Sequence, residues 1–186
     1  GKTHFSLGAA LASFGDHEGA LAALGRAHEL MPKSPTAHSN LILIMHYAPG
    51  IGRREIFDEH RRWNDLYTSP KPRPPITDPD PERTIRVGFV SDDFRFHAVY
   101  FFFHDTFTGR PRERWRGTLY ANQTVVDNCT RTFMEAADIF RDVSAMDDET
   151  LARQIRDDGI DILIDLDGHT KGNRLPVFAL RPAPVQ

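Results

Sequence analysis

Six of the chain's 13 prolines fall within one stretch, Pro70-Lys-Pro-Arg-Pro-Pro-Ile-Thr-Asp-Pro-Asp-Pro81. Proline fixes φ, removes an amide donor and pushes its predecessor out of the helical region. Neither a helix nor a central strand survives that density, so residues 68–83 read as an extended connector. The chain must then fold as two halves, residues 1–67 and 84–186, and their hydrophobic patterns differ.

The first half reads as helix throughout. Leu7, Ala10, Leu11 and Phe14 recur at three- and four-residue spacing and mark one apolar face. Gly15-Asp16 breaks the pattern. A second amphipathic helix carries Ala20, Leu21, Leu24, Ala27 and Leu30, and Pro32 stops it. Small residues at Gly8, Ala20 and Ala27 allow close helix approach, and with the turn and Pro32 they match a tetratricopeptide repeat. A third helix is expected from Pro35 to about Met45. A fourth is expected from about Arg53 to Tyr67, with Ile56, Phe57, His60, Trp63 and Leu66 inward. Such arrays need about three units to bury their faces, so residue 1 is expected to lie inside a longer array. The plainer alternative is an ordinary helical hairpin.

Beyond the connector the period changes. Strands are expected at Thr84–Val90, Gly117–Ala121 and Ile160–Asp165, alternating with helices at Ala98–Phe107, 130–137, Asp147–Asp157 and Arg174–Ala179. The run Tyr100-Phe-Phe-Phe103 is apolar enough to expect its helix buried against the sheet. Strands alternating with helices give an α/β fold with a parallel sheet and helices on both faces. Ligands bind outside the carboxyl ends of such strands, here the loops Ser91–His97, Asn122–Thr130 and Leu166–Gly172.

Composition narrows the partners. The balance of 23 basic and 26 acidic residues leaves a net charge of −3, which disfavours nonspecific polyanion binding. No apolar run approaches the roughly 20 residues that span a bilayer. One cysteine, Cys129, excludes an internal disulfide framework and fits a reducing compartment. A cytoplasmic protein is expected.

The chemistry-bearing residues concentrate in two of the three loops. The first offers Ser91, Asp92, Asp93, Arg95 and His97; the third offers Asp167, His169, Thr170 and Lys171. Topology is expected to bring both loops to one sheet edge. An imidazole suits proton transfer from a hydroxyl, and His97 stands where its loop meets a helix start. A surface loop histidine is the plain alternative. Lys171, between Gly168 and Gly172, offers a cation and free amides to a phosphate, or is a solvated turn lysine. Asp165-Leu-Asp167 followed by His169 has the makings of a hard-cation site, but Asp165 equally caps the loop, and no metal is assigned. His4, His17, His28, His38, His46, His60 and His104 are scattered without ligand spacing and read as surface or packing residues.

Three segments carry a resemblance: Val87-Gly-Phe-Val-Ser-Asp-Asp-Phe-Arg-Phe-His97, Asp161-Ile-Leu-Ile-Asp-Leu-Asp-Gly-His-Thr-Lys-Gly-Asn-Arg174 and Phe178-Ala-Leu-Arg-Pro-Ala-Pro-Val-Gln186. They look like the protein O-GlcNAc transferase family, in particular its bacterial members with tetratricopeptide repeats ahead of the catalytic region. Met45-His-Tyr-Ala-Pro-Gly50 and Glu59-His-Arg-Arg-Trp63 are similar to the segment that joins repeats to catalytic lobe.

The resemblance implies half of a two-lobed, Rossmann-like GT-B enzyme that is inverting and metal-independent. It implies UDP-N-acetylglucosamine as donor, no separate cofactor, and a Ser or Thr hydroxyl of a protein as acceptor, held in the repeat groove. His97 matches a histidine of the family's active site that has been proposed as the base. The Thr170-Lys171-Gly172 loop matches one near the same cleft, and Ser91, Asp92, Phe94, His169, Thr170 and Lys171 are expected to bind substrate. Two positions depart from the family: Phe96 stands where Asn or Arg is frequent, and His169 where the animal enzymes have Tyr. Pro-Ala-Pro-Val-Gln186 is followed in the family by another strand and a second lobe with most of the UDP contacts. The expectation is therefore a fragment that does not turn over alone. Alternatives are a non-catalytic peptide-binding scaffold with an α/β module, a metal-dependent transferase using Asp165 and Asp167, or transfer of fucose, as in a related plant branch.

Overall fold

The computed structural model describes residues 1–76 and 78–186; Thr77, within the expected connector, lies outside the described residues. The chain forms two compact units. The first comprises Gly1–Ser69 together with His169–Lys171, the second Pro70–Gly168 and Gly172–Gln186.

The helical unit holds α1 (Lys2–Ser13), α2 (His17–Leu30), α3 (Pro35–Met45) and α4 (Arg53–Tyr67). The starts of α2 and α3 follow from capping chemistry. The Asp16 carboxylate accepts from Gly19 N at 2.9 Å, and Ser34 Oγ accepts from Ala37 N at 3.2 Å with Pro35 opening the helix. Gly15, at φ 81°, makes the left-handed turn between α1 and α2. These two pack closely because Gly8 faces Leu24, where a Cβ would come within 2.6 Å of Leu24 Cγ.

The apolar stripes differ from the expected ones. On α1 the packed face is Phe5, Gly8, Leu11 and Ala12, while Leu7 and Phe14 are exposed. On α4 it is Ile56, Glu59, His60, Trp63 and Tyr67, leaving Phe57 and Leu66 in solvent. In each helix, spacing alone left several faces open, and the contact with the neighbouring helix selected one rotated from the expected stripe.

The α/β unit contains β1 (Ile85–Ser91), α5 (Ala98–Thr108), β2 (Trp115–Ala121), α6 (Asn128–Ala136), β3 (Ile139–Asp142), α7 (Asp148–Asp157), β4 (Ile162–Asp165) and α8 (Leu175–Ala179). Every strand pairing is parallel and the order is β3-β2-β1-β4. The expected α/β class and parallel sheet are what is found. Strand β3 was not expected: Ile-Phe-Arg-Asp142 is four residues long, lies at the sheet edge and carries no run of apolar residues. Val185 bridges to Ile162 on the other side of β4.

Alternation along the strands divides the core into two layers. Val87, Phe89, Leu119 and Ala121 meet α5 and α6, whereas Val90, Tyr120 and Leu163 meet α7 and α8. Only part of the phenylalanine run is buried. Phe103 faces the sheet, but Phe101 and Phe102 are 67% and 61% exposed, because successive helical residues cannot share one face.

The connector is fastened to the α/β unit. Lys71 N donates to Ala179 O at 2.9 Å, Arg73 Nε donates to Pro184 O, and Arg83 grips the Asp161 carboxylate at 2.7 and 2.8 Å. Among the described residues no helix is long and apolar enough to cross a membrane.

One position in β2 tests the aromatic layer. A Cβ at Gly117 would lie 2.3 Å from a ring carbon of Phe107, itself fully buried. Gly117→Ala is expected to cost about 1–3 kcal/mol through overpacking. A lowered urea midpoint at unchanged m-value is the readout, and an unchanged midpoint would show that the ring relaxes freely.

Candidate active site at the carboxyl ends of the strands

β1 ends in a loop held by side chains from its neighbours. Ser91, fully buried, donates its hydroxyl to Asp167 Oδ1 at 2.6 Å and accepts from Asp93 N at 3.0 Å. Asp92 N donates to Asp167 Oδ2 at 2.9 Å. Gln123, just past β2, pairs with both backbone groups of Phe94: Phe94 N donates to its Oε1 at 2.9 Å and its Nε2 donates to Phe94 O at 2.6 Å. Asp127, the N-cap of α6, accepts from Phe96 N at 2.7 Å. A loop this constrained presents its remaining side chains in fixed positions.

The side chain so presented is His97. It is the N-cap of α5, in extended conformation at φ −154°, and is 39% exposed at the side chain. Its Nδ1 lies 3.3 Å from Asp93 Oδ2 and 3.5 Å from Val99 N. These contacts demand opposite tautomers, since Nδ1 either donates to the carboxylate or accepts from the amide. With the proton on Nδ1 the ring faces the Asp93 carboxylate and leaves Nε2 as an acceptor, whereas with Nδ1 bare it accepts the N-cap bond from Val99 N. Asp93 is itself buried, with Arg95 2.6 Å from its other oxygen.

The β4 loop completes the rim. Asp165 accepts from Asp167 N at 3.3 Å and from Gly168 N at 2.7 Å, which is the loop-capping arrangement. Among the described residues the only group with metal-ligand proximity is His28, His38 and Glu59, so Asp165 and Asp167 form no such cluster with a histidine. Burial lifts the Asp167 carboxyl from its ordinary 3.8 to about 7, helped by the charges of Asp165 and Asp93. Burial also raises Asp165. Gly172 returns the chain to this rim at φ 81°, with its carbonyl accepting from Asn122 Nδ2 at 2.8 Å. A Cβ there would sit 2.3 Å from the Asp92 carboxyl carbon. Arg174 locks Asn122 at 2.8 Å and reaches Asp148 at 2.7 Å.

The expected site residues therefore divide. Asp92 stands at the rim beside Gly172, and His97 closes the same loop as the N-cap of α5. Ser91 and Phe94 are fully buried, the first as a hydrogen-bond hub and the second against Phe103 and Phe133. His169, Thr170 and Lys171 belong with the helical unit, between two left-handed glycines, Gly168 at φ 58° and Gly172. There His169 Nδ1 meets Ser39 Oγ at 2.9 Å and its Nε2 meets His60 Nδ1 at 3.0 Å, with His60 continuing to His46 at 3.2 Å. Burial first, then the neighbouring imidazoles, push His169 down to about 4. Asp93 was named in the sequence as a polar residue of this loop, but its approach to His97 was not, because loop spacing does not fix which side chains meet. Gln123 and Asp127 carried no signal beyond their place in the β2 loop.

An apolar cavity of about 570 Å³ opens on the α5 side of the sheet between Val87, Phe89, Trp115 and Ile162. None of the rim residues lines it.

The family described as Glycosyl transferase family 41 matches residues 73–186. The chain is 33% identical over 161 residues to a protein of Arabidopsis thaliana named probable UDP-N-acetylglucosamine–peptide N-acetylglucosaminyltransferase SPINDLY, covering 83% of this chain and 18% of that one. A Caenorhabditis elegans UDP-N-acetylglucosamine–peptide N-acetylglucosaminyltransferase is 37% identical over 105 residues, 55% of this chain and 9% of that protein. A solved structure of a mutant Thermobaculum terrenum O-GlcNAc transferase superposes with a TM-score of 0.95 at 34% identity, over 98% of this chain and 36% of that one. The chain thus spans under a fifth of the curated relatives' length.

Proposed function

Because the chain belongs to glycosyl transferase family 41, we propose that it forms part of a transferase moving N-acetylglucosamine from UDP-N-acetylglucosamine to Ser or Thr hydroxyls of proteins. The reading is inverting and metal-independent. The acceptor hydroxyl attacks the anomeric carbon in line, the bond to the diphosphate oxygen breaks, and UDP departs. The hydroxyl's proton needs an acceptor, and His97 Nε2 takes it.

The observation that carries this role is the Asp93–His97 pair on a loop pinned from three sides. Transfer of the proton makes an imidazolium beside a buried carboxylate, which stabilises it as it forms. Asp92 is assigned to the substrate side of the rim. Thr170 and Lys171 are assigned to the donor diphosphate, where an ammonium offsets the growing charge, and His169 orients their turn. The helical hairpins are assigned to the acceptor peptide.

The test is transfer by the full-length protein from sugar-labelled UDP-N-acetylglucosamine to a Ser/Thr peptide, without added divalent cation. Labelling is the expected result. Labelling only from a fucose donor would replace the sugar assignment, and none from either donor would leave a peptide-binding scaffold. The 186-residue chain alone is expected not to label.

A further inference from the structure

Four buried side-chain nitrogens among the described residues have no hydrogen-bond partner, and two of them are Nδ1 of His28 and Nδ1 of His38. The two rings stack, with centroids 4.1 Å apart and planes 30° from parallel. His38 is fully buried, and its Nε2 lies 2.6 Å from Glu59 Oε1. The Glu59 side chain is only 16% exposed. His28, His38 and Glu59 come from α2, α3 and α4, and each offers one donor atom within 4.8 Å of the others. Orphaned buried nitrogens are costly, and native structures satisfy them with partners, water or ions.

We propose that His28, His38 and Glu59 bind one zinc ion that ties α2, α3 and α4 together. The donor set selects the metal. Two imidazoles and one carboxylate suit zinc, whereas calcium and magnesium take oxygen ligands. Zinc bonds nitrogen at about 2.0–2.1 Å and carboxylate oxygen at about 2.0–2.2 Å, which puts tetrahedral donors about 3.3 Å apart. Gathering the three donors about one ion requires the 2.6 Å His38–Glu59 contact to open and the wider spacings to close. Three protein ligands leave the fourth position to water. Arg62 lies 3.6 Å from the other Glu59 oxygen. The ion stabilises the helical unit and has no part in sugar transfer, so the proposal stands apart from the transferase reading.

The 186-residue chain, stripped of metal, is titrated with Zn²⁺ and separately with Co²⁺ as a spectroscopic probe. One equivalent is expected to bind, giving tetrahedral Co²⁺ absorption and a melting temperature higher by roughly 5 °C or more at saturating Zn²⁺. His28→Gln and Glu59→Gln should each weaken binding at least tenfold. X-ray absorption on the unsubstituted chain should report two imidazoles and one carboxylate, a readout that needs no variant to fold. Absence of stoichiometric binding, binding undiminished in both variants, or a different ligand count would overturn the proposal. In that case buried water satisfies the two imidazoles.

Discussion

Replacing His97 by alanine in the full-length protein is expected to lower kcat about 100- to 10,000-fold, the range for losing a positioned general base. KM for the nucleotide sugar should change little, since Nε2 is assigned to the acceptor's proton and not to the donor. The side chain is partly exposed, and its contacts are long, 3.5 Å to Val99 N and 3.3 Å to Asp93 Oδ2. Its removal should therefore leave the melting temperature within a degree or two. Asp93→Asn is the companion. An amide can turn its N–H toward Nδ1 and flip the tautomer, so kcat should fall with His97 still in place. Double substitution should cost no more than His97→Ala alone, because both residues serve one proton. A His97→Ala protein with near-normal kcat would remove the histidine from the chemistry.

The parts of the fold visible in the sequence were those written in local chemistry. The proline cluster marked the seam, β-branched runs marked β1 and β4, and the acidic run Asp147-Asp-Glu149 marked the start of α7. What the sequence withheld were choices made by distant contacts. Which face of α1 or α4 packs depends on the neighbouring helix, so Leu7, Phe57 and Leu66 point outward against the simple stripe. The histidines of the first half look scattered along the chain, yet His46 and His60 join His169 in one hydrogen-bonded series, and His28 stacks on His38. Phe94 lies in a site-like loop motif but serves the aromatic core, because Gln123 draws its backbone in. Strand order put the first and third loops at the strand ends, but it gave neither the approach of Asp93 to His97 nor the grouping of His169–Lys171 with the helical unit.

The α/β unit should lose stability as pH rises from about 4 to about 7, by up to roughly 4 kcal/mol, because of Asp167. Its carboxyl titrates near 3.8 when unfolded but near 7 when folded, so between those values the native state holds a proton the unfolded chain has released. Stability from this group is full below the lower value and gone above the upper one. Asp167→Asn, which cannot ionise, should flatten the slope. His169 runs the other way in the helical unit: its value falls from 6.5 to about 4, so its contribution is full above the higher value and lost as acid protonates it. The two slopes can be separated because the chain's two tryptophans divide between the units, Trp63 in the helical one and Trp115 in the other. Urea unfolding followed by Trp115 fluorescence in Trp63→Phe, and the reverse, should give slopes of opposite sign. A Trp115 slope untouched by Asp167→Asn would mean that water reaches the carboxyl and holds it ionised. The consequence reaches the loop after β1, since Asp167 accepts from Ser91 Oγ and Asp92 N, and Ser91 in turn accepts from Asp93 N. Ionising Asp167 strengthens both hydrogen bonds while burying a charge. The pH that destabilises this unit is thus the pH that tightens the loop holding His97.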